Sequence, residues 1–126
     1  MASPFLQQDV AAAARREGMV CVIGATTPSE VFEALRVGAT VVDIFPIGSM
    51  GGPDYVRWLR EPLPNVALRV SGGVEYERIP EYLQLGVAIG LSTSVFPAEA
   101  LRRGDFAAIR ELAARAAGTV PQAVWR

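Results

Sequence analysis

Short apolar runs alternate with helix-compatible stretches along almost the whole chain. The runs cover 19–23, 40–45, 66–71 and 87–91, and each is followed by glycine, serine, threonine or proline. They are near-continuous in Val, Ile, Leu and Ala, as expected of parallel strands covered on both faces. Between and around them lie the helices. Residues 6–17 are Ala-rich and stop at Gly18. Thr27, Pro28 and Glu30 read as N-cap, first helical position and closing member of a capping box. In that helix Val31 and Leu35 face inward, with Phe32 a third candidate, and Gly38 ends it. Residues 54–60 form a short helix stopped near Pro62 and Pro64. Residues 79–85 form another, with Pro80 at its start and Gly86 at its end. Residues 105–117 make the last long helix. The stretch 48–52 reads as a flexible loop over the strand ends.

Four strands, each preceded and followed by a helix, are four βα units. They imply an α/β fold with a parallel sheet and right-handed crossovers. No linker or composition shift divides the chain, so residues 1–117 read as one domain. Residues 118–126 read as a loose tail, from which Trp125 can dock back.

Composition narrows the chemistry. The chain has 126 residues, 51% of them hydrophobic, and a formal net charge of -1. That supplies a core and excludes both a disordered chain and a strongly basic nucleic-acid binder. All 12 basic residues are arginine, and histidine is absent. No side chain can form a Schiff base, no imidazole can act as general base, and no His-based metal site exists. No metal and no cofactor is expected. The single thiol, Cys21, lies in an apolar strand and reads as a small core residue. A lone cysteine without a partner suits a cytoplasmic or other reducing compartment. The Ala-rich start follows Gln7, Gln8 and Asp9 and precedes Arg15 and Arg16, which marks an amphipathic helix and not a secretory segment. No apolar run approaches the roughly 18 residues a membrane span needs.

Parallel α/β sheets carry their chemistry at the carboxyl ends of the strands. Two ends here have the makings of an anion site. Ser71-Gly72-Gly73 leaves backbone N–H groups open to a phosphate, and Ser92-Thr93-Ser94 adds hydroxyls at the next strand end. The alternative reading is a tight turn followed by hydroxyl caps, and spacing does not choose between them. Elsewhere, Tyr55 and Trp58 read as packing residues. Arg102, Arg103, Glu75 and Glu77 read as solvated.

Several pieces taken together carry a family resemblance. They are Ser3-Pro4-Phe5, the stretch from Ile23 to Glu30, and Leu35-Arg36-Val37-Gly38-Ala39. Phe45-Pro46 with Gly51-Gly52, Ser71-Gly72-Gly73-Val74, Pro80-Glu81-Tyr82-Leu83 and Gly104-Asp105-Phe106 complete the set. In order and spacing the chain resembles the carboxyl half of the 2-keto-3-deoxy-6-phosphogluconate (KDPG) / 4-hydroxy-2-oxoglutarate aldolases. The resemblance implies an eight-stranded (β/α) barrel, usually trimeric, of which this chain would supply strands five to eight. It also implies aldol cleavage to pyruvate through a lysine Schiff base.

Three departures bear on that activity. The position matching the Schiff-base lysine, two residues before Phe45-Pro46, holds Asp43. The amino half, with the family's general-base glutamate, has no counterpart in these residues. The last-strand Gly-Gly-Ser-Trp is replaced by Leu91-Ser92-Thr93-Ser94, while Ser71-Gly72-Gly73 keeps the character of the family's Thr-Gly-Gly.

If the family geometry holds, period-2 alternation points Asp43 and Arg69 to the barrel interior from neighbouring strands. A buried carboxylate needs a partner, so an Asp43–Arg69 ion pair is expected. The other role open to Asp43 is that of metal ligand or base. Four parallel strands leave two edges and an inner face uncovered. A homo-oligomer or a complementary subunit is therefore expected to complete the sheet. Two functional readings follow. One is a non-catalytic homologue, a structural subunit or a binder of a phosphorylated sugar acid through Ser71, Gly72, Gly73, Ser92 and Thr93. The alternative is a lyase cleaving KDPG or 4-hydroxy-2-oxoglutarate, with the missing groups supplied by another chain.

Overall fold

The structure is a computed structural model and describes residues 1–120. Five strands form one parallel sheet in sequential order: β1 (Ala2–Ser3), β2 (Val22–Ala25), β3 (Val41–Ile44), β4 (Leu68–Ser71) and β5 (Ala88–Gly90). The helices are α1 (Gln8–Arg16), α2 (Pro28–Arg36), α3 (Ile47–Met50), α4 (Pro53–Arg60), α5 (Ile79–Gln84), α6 (Ala98–Arg103) and α7 (Phe106–Gly118). A 3-10 turn at Tyr76–Arg78 leads into α5. The four βα units expected are present, starting at β2, β3, β4 and β5. A fifth strand, β1, precedes them, because the first residues pair in register with β2 at Ala2↔Val22 and Ser3↔Ile23.

The strands bury their apolar residues against the helices on one face and carry Asp43, Arg69 and Ser71 on the other. Ile23, Val42, Ile44, Leu68 and Val70 are each no more than 3% exposed. They share a core with Val31 and Ala34 of α2, Ile47 of α3, Val56 and Leu59 of α4, and Ile79 and Tyr82 of α5. Cys21 is buried and unpaired.

α2 starts where its sequence places it. The Thr27 hydroxyl accepts from the Glu30 amide at 3.3 Å, and the Glu30 carboxylate accepts from the Thr27 amide at 2.7 Å and the Thr26 amide at 2.8 Å. Those amides hold the Glu30 carboxyl below the usual carboxylate range. Arg60, at the end of α4, donates to the carbonyls of Val66 and Gly86 at 2.6 and 3.1 Å and thereby fixes the approach to β4 and β5.

Several expectations need correction. Residues 48–52 are not a simple loop: α3 occupies most of them, and the chain reverses at Gly51 in the left-handed region before α4. α6 is an additional helix that leaves no residue buried. Phe32 is 60% exposed because Ala34, not Phe32, lies beside Val31 on the inward stripe of α2. Trp58 is 70% exposed on the outer face of α4 and packs nothing of the core. The inner face of the sheet is polar at its centre, and exposed apolar side chains lie both on helices, at Trp58, Leu101 and Phe106, and in connecting segments, at Phe5, Val20 and Phe96. Trp125 and the rest of the tail beyond residue 120 lie outside the described residues.

Candidate functional site

Strand register sets the site. Gly24, Asp43, Arg69 and Ala88 stand side by side across β2 to β5, and Ser71 stands beside Gly90. All are on the face turned away from the helices. Asp43 and Ser71 are each 8% exposed, while the Arg69 side chain keeps about a third of its surface open. Ser71 Oγ donates to Asp43 Oδ2 at 2.7 Å. Arg69 Nε lies 3.8 Å from Asp43 Oδ1, so the two charges form the expected ion pair. Asp43 Oδ1 is buried and has no hydrogen-bond partner among the described residues.

Two glycines make this arrangement possible by having no side chain. A β-carbon at Gly90 would occupy the space of the Arg69 guanidinium. One at Gly24 would strike the carbonyl of Pro4, where the chain leaving β1 crosses the inner face. Pro4, Ser3, Asp43, Phe45, Arg69 and Ser92 enclose a cavity of about 270 Å³, with Ser71 and Gly72 completing its wall.

Next to it is a notch of about 40 Å³ between the ends of β4 and β5. Gly72, Gly73, Ser92 and Thr93 line it. Gly72 and Gly73 both have φ of 77°, a conformation that glycine adopts without steric cost. Ser92 accepts through its carbonyl from the amides of Val95 and Phe96 at 3.0 and 2.8 Å, which curls residues 92–96 into a turn. The structure thus brings Gly72, Gly73, Ser92 and Thr93 together. It turns Ser71 the other way, onto Asp43, so Ser71 serves the cavity and not the notch. Gly72 and Ser92 line both spaces.

Tyrosines hold the strand ends. The Tyr55 hydroxyl donates to the Thr26 carbonyl, and the Tyr76 hydroxyl donates to the Ser94 carbonyl. Burial first, and then the nearby Glu30 charge, push the Tyr55 hydroxyl above its ordinary range. Arg115 of α7 stacks over the Tyr76 ring at 5.0 Å and pairs with Glu77 at 2.5 Å. Arg102 and Arg103 both pair with Glu99 at the surface, and Glu75 is exposed. Among the described residues no three His, Cys, Asp or Glu side chains converge as a metal site would require. Sequence reasoning missed Ser3 and Pro4 as cavity walls and Gly90 as the seat of Arg69. A glycine closing an apolar strand was the available signal for the last of these.

A parallel sheet with helices on one face, and a polar cavity and notch at its strand ends, is a section of a (β/α) barrel. The family model for KDPG and KHG aldolase matches residues 1–112, and the chain belongs to that family. It is 34% identical over 98 residues to the 2-dehydro-3-deoxy-6-phosphogalactonate aldolase of Escherichia coli K12, covering 76% of this chain and 47% of that relative. A solved 4-hydroxy-2-oxoglutarate/KDPG aldolase superposes with a TM-score of 0.80 at 29% identity, covering 95% of this chain and 57% of that one. The KDPG aldolase of Zymomonas mobilis ZM4, solved with 3-phosphoglycerate, gives 0.78 at 25% identity, covering 97% of this chain and 57% of that one. The chain spans about half the length of the curated relatives it matches.

Proposed function

We propose that this chain binds a phosphorylated small molecule at the carboxyl ends of its strands and forms no Schiff base with it. The observation that carries the reading is the centre of the inner face. Asp43 stands there, where the family resemblance puts the reactive amine, and it is held by Ser71 and Arg69. A carboxylate cannot condense with a ketone, and no lysine exists in these 126 residues to replace it. The phosphate half of the reading rests on the notch. Gly72 and Gly73 expose backbone there, Ser92 and Thr93 add hydroxyls, and the Zymomonas relative was solved with a phosphorylated ligand.

The open inner face and the two sheet edges are completed by a second copy of the chain or by a complementary subunit. The half-length span of the chain also keeps the lyase reading in view, with the missing groups coming from that partner.

Borohydride reduction in the presence of pyruvate tests the first half. The wild-type chain is expected to give no covalent adduct, and a trapped adduct would sink the proposal. Titration of isotopically labelled protein with orthophosphate tests the second half. The Gly72, Gly73 and Thr93 amide resonances should move, and their remaining still at millimolar phosphate would dismiss the notch as an anion site.

A further inference from the structure

A second polar hollow, of about 170 Å³, lies between the start of α4 and the residues that follow β4. Its backbone wall is close-packed. The Gly48 amide donates to the Gly72 carbonyl at 2.9 Å, and a β-carbon on Gly48 would stand 2.6 Å from the Gly73 carbonyl oxygen.

Two side-chain donors meet there with nothing to donate to. Arg78 commits Nε and Nη2 to the Glu81 carboxylate at 3.1 and 3.3 Å. Its Nη1 is left over Gly52, 2.8 Å from where a β-carbon would be, and has no partner among the described residues. Tyr82 is 1% exposed, yet its hydroxyl also has no hydrogen-bond partner among the described residues. That hydroxyl comes to 3.4 Å from the same point over Gly52. Unlike Asp43 Oδ1 it is not sealed off, because it opens onto the hollow. Burial, against the pull of Arg78, pushes it above its ordinary range, so it stays protonated and able to donate. Gly52 is also the N-cap of the eight-residue α4, and no side chain caps the helix there. The positive end of the helix adds to the same preference.

The chemistry of the occupant follows from these groups. A guanidinium N–H and a phenolic hydroxyl both call for an acceptor, and Arg78 repels a cation. Glu75 stands at the rim and the charge of Asp54 reaches Arg78, so a second negative charge on the ligand is penalised. A water or an amide accepts, but without the gain of a charged acceptor. A singly charged carboxylate brings that gain and two oxygens to share.

We propose that this hollow binds the carboxylate of a small organic acid, with Arg78 Nη1 and the Tyr82 hydroxyl donating to its oxygens beside the start of α4. Glu81 positions Arg78 and touches no ligand. The site is separate from the notch, with which it shares only Gly73.

Acetate titrated into the labelled full chain at constant ionic strength should move the Gly51 and Gly52 amide resonances. Acetamide, of the same shape without the charge, should bind about tenfold more weakly. Tyr82→Phe separates binding from packing. A hydroxyl without a protein partner does not hold the core, so the urea midpoint should stay or rise while acetate affinity falls about tenfold. Arg78→Met should abolish acetate binding, and Glu75→Gln should strengthen it about threefold by removing a repulsion. The inference is overturned by Gly51 and Gly52 unmoved at millimolar acetate, by equal affinity for acetate and acetamide, or by Tyr82→Phe binding as the wild type does. Orthophosphate moving these two amides more strongly than acetate also overturns it. Silence of Gly72 and Thr93 toward orthophosphate would dismiss the notch and leave this site untouched.

Discussion

A β-carbon added at Gly24 would meet the backbone of Pro4, whereas one added at Gly90 would meet only the mobile end of Arg69. The two substitutions should therefore part company. Gly24→Ala must push the chain after β1 off the sheet, at about 1–3 kcal/mol of stability, the usual cost of overpacking a close contact. Gly90→Ala should cost less than about 1 kcal/mol, because a flexible side chain can swing away, but it should unseat the guanidinium from Asp43. Urea denaturation of both variants checks the order, and Gly90→Ala proving the more destabilising would contradict it. At this scale the ion pair was legible because alternation along two neighbouring strands needs only the register to become a contact. Gly90 was not legible in the same way. A glycine at the end of an apolar strand signals a close approach there, but that Arg69 is what approaches is set by the fold and not by any local pattern.

Among the elements, α2 shows the closest agreement between pattern and structure, since its capping box is a contact between residues three apart. Thr27→Ala should cost about 1 kcal/mol, the ordinary penalty for losing an N-cap hydroxyl. The acid limb of the stability curve carries a second signature. Folding lowers the pKa of Glu30, so its contribution is complete above the unfolded-state value and is lost as pH falls through the lower folded-state value. Glu30→Gln should lose stability near neutral pH and converge on the wild type in acid. A constant gap between the two curves at every pH would refute the assignment. Other elements were hidden from sequence reasoning for reasons of size or environment. β1 has two residues, too few for any periodicity, and it exists only because β2 offers an edge. α3 has four residues, and glycines at 48, 51 and 52 disguise it as a loop. α6 buries nothing, so it has no apolar stripe to announce it.

For the molecule as a whole, an open parallel sheet with a polar inner face is joined to helices that leave Trp58, Leu101 and Phe106 more than half exposed. The proposed completion by another chain predicts that the purified protein runs as a dimer or larger by light scattering at micromolar concentration, or associates with a co-purifying subunit. A stable lone monomer would count against it. α7 has little hold of its own, since only Ala116 among its 13 residues is buried. Its attachment near the site runs through Arg115 to Tyr76, and the Tyr76 hydroxyl in turn fixes the Ser94 carbonyl at the wall of the notch. A chain of contacts therefore runs from α7 to the wall of the notch. If the proposed anion and the docking of α7 both bias the placement of Ser94, each must shift the other, in whichever direction, by the same free energy.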